Sequence, residues 1–137
     1  MTMMLRRAMM APQAAAGLGE FTAGYSATLT PDSGTAWVIT HNLGVVPKIV
    51  IVEMVGTPAA TNYANREMVV LASNLPDDNT GYIAYEYHYN GADNKSSQFI
   101  GTTYYEADTA TVTMKPPYNS ARSSWDTGTT YHVQIYG

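Results

Sequence analysis

The chain has 137 residues and a formal net charge of −4; hydrophobic residues make up 45% of it and charged residues only 13%. This composition fits one compact domain with a single core and argues against a disordered chain. The few basic residues form no stripe that could follow a phosphate backbone, so nucleic acid is not an expected partner. No apolar run approaches the roughly 18 residues of a membrane-spanning helix, and with no cysteine the chain has no disulfide, thiolate nucleophile or cysteine metal site.

Residues 1–20 differ in composition from the rest of the chain. They are rich in Met and Ala and contain the adjacent pair Arg6 and Arg7. Pro12 and Gln13 interrupt what would be the apolar region of a secretory signal, which argues against a cleaved leader. We therefore predict a non-β N-terminal arm, either disordered or docked, because Met-rich segments become useful when they are buried against a partner.

The remainder, residues 21–137, has the pattern of a single all-β domain. Turn-forming clusters of Pro, Gly, Asn and Asp recur along it, and between them apolar residues alternate with a period of two. No segment keeps helical spacing over three turns. We predict an antiparallel β-sandwich with strands at residues 21–29, 35–41, 48–55, 66–72, 81–89, 98–106, 109–115 and 129–136.

The predicted strand at residues 48–55 differs from the others because its apolar residues are continuous from Ile49 to Val52. Such a run, rich in β-branched residues, is typical of a strand covered on both faces. We expect it at the centre of a sheet or under a partner subunit. Together with low charge and abundant tyrosine, this run predicts self-association.

A short polar turn separates the predicted strands at 35–41 and 48–55. Asn42 and Gly44 tolerate positive φ and can reverse the chain, and Pro47 stiffens the entry to the next strand. We predict that His41 closes this hairpin by hydrogen bonding to turn backbone; a ligand or general base is the alternative. The structural role is favoured because no nucleophile or orienting group lies nearby in sequence.

The segment around this turn, WVITHNLGVVPKIVIV at residues 37–52, resembles the strand–HNLG–strand motif of bacteriophage tail-fibre, receptor-binding and other virion proteins. The run LRRAMM at residues 5–10 is similar to the starts of small proteins encoded in prophage-like gene clusters. These resemblances imply a virion structural protein assembled in the bacterial cytoplasm. Its place would be the tail tip, a fibre or a capsid decoration, and residues 1–20 would anchor it to other virion proteins.

A second set of positions is spread over residues 35–137. They are Trp37, Pro47-x-Ile49-x-Ile51, Arg66, Thr80-Gly81-Tyr82 and Tyr131-x-Val133-x-Ile135-x-Gly137. Their order resembles that of an H-type lectin domain, which implies an antiparallel sandwich, association as homotrimers and sugar held between neighbouring subunits. The sequence departs from that family in having Tyr87-His88-Tyr89 where a late tryptophan is expected, and residues 98–115 form an additional predicted hairpin.

The titratable residues indicate no catalytic or metal centre. His88 and His132 lie in alternating strands without ligand spacing, and Asp77–Asn79 lacks the spaced oxygen ligands of a calcium loop. A glycosidase would need two carboxylates across a cleft. The carboxylates that could supply them are Glu53, Glu86, Glu106 and Asp108. We therefore expect no enzyme, metal or cofactor, and a small glycan hydrolase is the least favoured alternative.

The loop at residues 116–128 combines aromatic rings with polar groups that can hydrogen-bond sugar hydroxyls. If the protein binds a host-surface or environmental glycan, the predicted contacts are Trp125, Tyr118, Asp126, Asn119 and Arg122. The competing interpretation is that Trp125 folds back over the end of the sandwich. The function predicted from the sequence is a trimeric virion structural protein, with a free H-type-lectin-like carbohydrate-binding protein as the alternative.

Overall fold

A computed structural model of the chain describes residues 21–59, 64–71, 81–89, 91–100, 105–115 and 124–137. Within these ranges every regular element is a β-strand, so the predicted all-β class is confirmed. The strands are β1 Gly24–Leu29, β2 Trp37–Thr40, β3 Ile49–Val55, β4 Ala64–Leu71, β5 Gly81–Tyr89, β6 Ala92–Ile100, β7 Tyr105–Ala107, β8 Thr111–Met114 and β9 Thr130–Tyr136.

The strands form two antiparallel sheets that share one hydrophobic core. The larger sheet has the order β1-β9-β3-β4-β5-β6, and the smaller has the order β2-β8-β7. Trp37 and Ile39 from the smaller sheet belong to the same buried cluster as Val50 and Val133 from the larger one. The molecule is therefore an antiparallel β-sandwich, in which two inner faces enclose a common core.

Alternation of side chains determines which residues enter this core. In β9 the alternate residues Tyr131, Val133 and Ile135 are fully buried, whereas the residues between them are half-buried. Burying one such aliphatic side chain stabilises the fold by roughly 1.5–3 kcal/mol. The period-two pattern of the sequence therefore corresponds directly to an inner and an outer face of each sheet.

Strand β3 lies inside the larger sheet, between β9 and β4. Val50, Val52 and Met54 point into the core, while Ile49 and Ile51 are half-buried on the opposite face. The predicted central position is confirmed. Within the described residues, β3 is fully covered only on the core side.

The prediction of one strand at residues 98–106 is wrong. Strand β6 begins at Ala92 and pairs with β5 along its whole length, whereas β7 begins at Tyr105 and pairs with β8 in the other sheet. The sequence from Ala92 to Ser97 is polar and lacks an apolar alternation. It is nonetheless a strand because the backbone of β5 supplies its hydrogen-bond partners. As the edge strand of the sheet, β6 has this one neighbour.

The prediction that β2 and β3 form a hairpin is also wrong. Strand β2 pairs with β8 in the smaller sheet, and β3 pairs with β9 and β4 in the larger one. The intervening residues therefore carry the chain from one sheet to the other. They are held there by backbone bonds, in which His41 N–H donates to Ala110 O (2.8 Å) and Gly44 N–H donates to Thr109 O (2.9 Å).

Candidate functional site

Trp125 lies at the junction of the two sheets, with 2% of its surface exposed. Its indole Nε1–H donates to the carbonyl oxygen of Met114 in the smaller sheet at 3.0 Å. Its ring packs against Trp37 of the smaller sheet and Tyr131 of the larger one, at centroid distances of 5.2 and 5.4 Å. The tryptophan therefore joins the two sheets as part of an aromatic cluster.

A chain of buried hydrogen bonds supports this aromatic cluster. The hydroxyl of Tyr131 accepts from Asp126 N–H at 3.0 Å and donates to the carbonyl oxygen of Asn65 at 2.7 Å. Asn65 N–H in turn donates to Ser124 O at 2.7 Å. Burial raises the pKa of Tyr131 well above its ordinary value, because the charged phenolate would have to leave water.

Two of the five predicted sugar contacts, Trp125 and Asp126, are buried in the structure. With 2% of its surface exposed, Trp125 offers no face on which a sugar could stack. Asp126 is also buried, and its Oδ1 accepts from Gly128 N–H at 2.9 Å. The other three contacts, Tyr118, Asn119 and Arg122, lie outside the described residues and stay a prediction.

The sequence did contain a signal for this arrangement. Asp126-Thr127-Gly128 is an Asp-x-Gly stretch immediately before β9, and an Asp side chain commonly bonds backbone two residues on to form a turn. Such a turn ties the segment to the strand that follows. It indicates that Trp125 precedes an ordered turn at the start of β9 rather than lying in a loose loop.

His41 has the geometry of a turn residue. Its Nδ1 accepts from Leu43 N–H at 3.1 Å, and the ring is buried, with no described residue bonding Nε2. Asn42 and Gly44 both have positive φ, at 52° and 76°. The imidazole therefore acts as the acceptor that an Asx side chain supplies in other turns.

The carboxylate of Asp108 also accepts hydrogen bonds from the backbone of a turn. Its Oδ1 accepts from Ala110 N–H at 2.7 Å and from Thr111 N–H at 2.6 Å. These two backbone hydrogen bonds are the largest causes that lower the pKa of Asp108. Asp108 thus fixes the β7–β8 turn and is already paired.

The side of the larger sheet that faces away from the core, here called the outer face, carries an apolar patch. In the sheet register Ile49 lies between Tyr136 and Leu71, and Ile51 pairs with Val69. The apolar patch is defined by these five residues. Leu71 is 41% exposed and the other four residues are half-buried, so part of this apolar surface is in contact with solvent.

Next to the apolar patch, three glutamates from adjacent strands are direct cross-strand partners. Glu53 pairs with Glu67, and Glu67 pairs with Glu86. We call these three residues the glutamate ladder. Glu86, the member nearest the edge strand β6, contacts Lys95 at 3.0 Å and is the largest cause of the raised pKa of Lys95. Among the described residues, no ion pair joins Glu53 or Glu67, and like charges placed directly opposite each other are unfavourable.

A second charged group lies further along the same strands. Arg66, at an irregularity in the β4–β5 register, contacts Asp93 Oδ2 at 2.6 Å, and His88 Nδ1 lies 3.1 Å from Asp93 Oδ1. The bond from Arg66, then that from His88, lowers the pKa of Asp93. These contacts connect β4 to the edge strand β6 across β5.

The described part of the chain contains no group of three or more His, Asp or Glu side chains that could hold a metal ion. No helix long and apolar enough to cross a membrane is found among the same residues. Comparison of the chain with protein-family models, curated proteins and solved structures finds no match.

Proposed function

We propose that this chain is a structural component of a bacteriophage-type virion, at the tail tip, in a fibre or as a capsid decoration. In this proposal it self-associates as a trimer, and residues 1–20 join it to other virion proteins. The HNLG segment and the composition of the arm support the class of protein. The single structural observation that carries an assembly role is the apolar patch on the outer face.

The apolar patch lies on a regular sheet surface rather than in a cleft. Ile49, Ile51, Val69 and Leu71 form two adjacent rows on β3 and β4, and the glutamate ladder borders them on one side. An apolar centre with a charged border is the usual arrangement of a protein interface. A neighbouring subunit would therefore remove the exposed apolar side chains from water and leave the carboxylates at the rim.

The polar groups that could have indicated catalysis support the same function. His41 and Asp108 each bond turn backbone, and the Asp126 carboxylate bonds Gly128. Each of these groups holds a turn or a sheet junction in place. Among the described residues these side chains stabilise the fold, which is consistent with a structural protein.

Sedimentation of the full chain with one outer-face variant tests self-association. Unmodified protein is expected at three times its 14.9 kDa chain mass, and Val69→Lys is expected to shift it to monomer because a charge enters the interface. Val38→Lys is the matched control, since Val38 is an exposed strand valine of the smaller sheet. A monomer at all concentrations, or equal dissociation of both variants, would contradict this interface.

Membership of a virion is tested separately by mass spectrometry of particles purified after prophage induction in the bacterium that carries the gene. We expect the chain at constant stoichiometry in those particles. A protein found only free in the medium would instead favour the carbohydrate-binding alternative. In that case glycan arrays should be probed with variants of residues 116–123.

A further inference from the structure

The chain enters the sandwich at the apolar end of the outer face. The ring of Phe21 packs against Tyr136, a member of the apolar patch, at a centroid distance of 5.7 Å. Thr22 N–H donates to Gly137 O at 2.6 Å, which fixes this entry point beside the end of β9. The point at which residues 1–20 join the domain therefore lies next to the apolar patch.

The length of residues 1–20 is sufficient to cross the outer face. From β9 to β5 there are three strand spacings, or about 14 Å at about 4.8 Å each. Twenty residues span about 30 Å as a helix and about twice that when extended. The arm can therefore reach the apolar patch and the glutamate ladder in either conformation.

The composition of the arm complements both parts of the outer face. It contains five of the eight methionines of the chain, and the pair Arg6 and Arg7 has methionines on either side. Methionine adapts to irregular apolar surfaces, and arginine makes strong paired hydrogen bonds to carboxylates. Glu53 and Glu67 are the carboxylates of the ladder that a cation from the arm would complement.

We propose that in the unassembled protein residues 1–20 lie across the outer face of their own sheet, with methionines on the apolar patch and Arg6 and Arg7 on Glu53 and Glu67. This inference rests on the proposed function in one respect, since it describes the same face before assembly. The arm shields the apolar patch until a neighbouring subunit replaces it. It is then released for contact with other virion proteins.

A spin label tests the position of the arm, because the chain has no cysteine of its own and one introduced thiol reacts alone. We place the label at Met9→Cys in isotopically labelled full-length protein, below the concentration at which it associates. Amide signals of Ile51 and Val69 on the outer face are expected to lose intensity. Signals of Val38 and Thr113 in the smaller sheet are expected to keep theirs.

Charge reversal supplies the matched control. Arg6→Glu with Arg7→Glu in the same labelled chain is expected to restore the Ile51 and Val69 signals, and adding Glu53→Arg with Glu67→Arg is expected to remove them again. Undiminished signals in the first experiment would overturn the proposal, as would a reversal without effect. Loss seen only when spin-labelled chains are mixed with isotopically labelled ones would also overturn it and assign the site to another copy's arm. Failure here leaves the sedimentation and particle results unchanged, so the two proposals can fail separately.

Discussion

Tyr131 and Tyr105 are both buried, but their side chains contribute differently to the stability of the fold. The hydroxyl of Tyr131 makes two hydrogen bonds between segments, whereas the hydroxyl of Tyr105 is buried without a partner in the part of the chain that the structure describes. Burial raises the pKa of both phenols. Tyr131 thus adds specific bonds to its packing, and Tyr105 adds packing together with the cost of an unpaired polar atom.

We predict that the free energy of unfolding falls as the pH rises above about 10. In the unfolded chain the tyrosines release their protons near that pH, while in the folded chain the raised pKa keeps them protonated. The unfolded state then binds fewer protons, so stability declines by at most about 1.4 kcal/mol per pH unit for each buried tyrosine. Urea unfolding between pH 8 and about 11 measures this slope.

Phenylalanine variants provide the controls for this prediction. Tyr131→Phe and Tyr105→Phe should each reduce the alkaline slope, because each removes one titrating phenol. At neutral pH Tyr131→Phe should cost about 1–3 kcal/mol, since two buried backbone groups lose a partner, whereas Tyr105→Phe should cost little or stabilise. An unchanged slope in both variants would show that other groups control the alkaline transition.

At the scale of the element, the β2–β3 connection depends on one backbone conformation. Gly44 has a φ of +76°, and a Cβ added there would meet nothing within 4 Å. Steric crowding therefore does not require glycine at this position. The requirement comes from the left-handed backbone, which non-glycine residues adopt at a cost.

We predict that Gly44→Val lowers the free energy of unfolding by about 1–2 kcal/mol or more, because a β-branched residue is poorly accommodated at positive φ. Gly44→Asn should cost less, since asparagine tolerates this region. Gly24→Val is the matched control. Gly24 lies in β1 without positive φ, and a Cβ there would be 3.6 Å from Tyr136, an ordinary contact. Thermal unfolding that shows equal losses in the two valine variants would refute the role of φ.

At the scale of the whole molecule, the core and the sheet junction are made within residues 21–137. All nine strands of the described part lie there, as does the cluster of Trp37, Trp125 and Tyr131 that joins the sheets. These strands and ring contacts are made by residues of the domain itself. Our proposal therefore assigns residues 1–20 to the outer face rather than to folding.

Deletion of residues 1–20 is accordingly expected to preserve the β circular dichroism spectrum and a cooperative thermal transition. Below the concentration at which the chain associates, binding of a hydrophobic dye should increase, because the apolar patch becomes exposed. The full chain with Arg6→Glu and Arg7→Glu should show the same increase if the charges hold the arm in place. Loss of the folded spectrum on deletion would mean that the arm is part of the fold.

The sequence by itself determined the fold class, most strand positions and the inner faces of the strands. These follow from local rules: Val50 and Val52, or Val133 and Ile135, repeat at the period of a pleated strand, and Gly44 meets the backbone requirement of a turn. The central position of β3 was predictable for the same reason. A continuous run of β-branched residues is suited to a strand with neighbours on both sides.

Only the tertiary structure decided how the strands are divided between sheets and which residues meet across them. β2 and β3 are adjacent in sequence but lie in different sheets, and polar β6 is a strand because β5 supplies its partner bonds. Trp125 is buried because it packs against Trp37, which is distant in sequence, and against Tyr131 of the strand that follows it. The glutamate ladder likewise depends on cross-strand register. Local propensity specifies the face of a side chain, whereas its neighbours on that face depend on long-range pairing that no short stretch of sequence encodes.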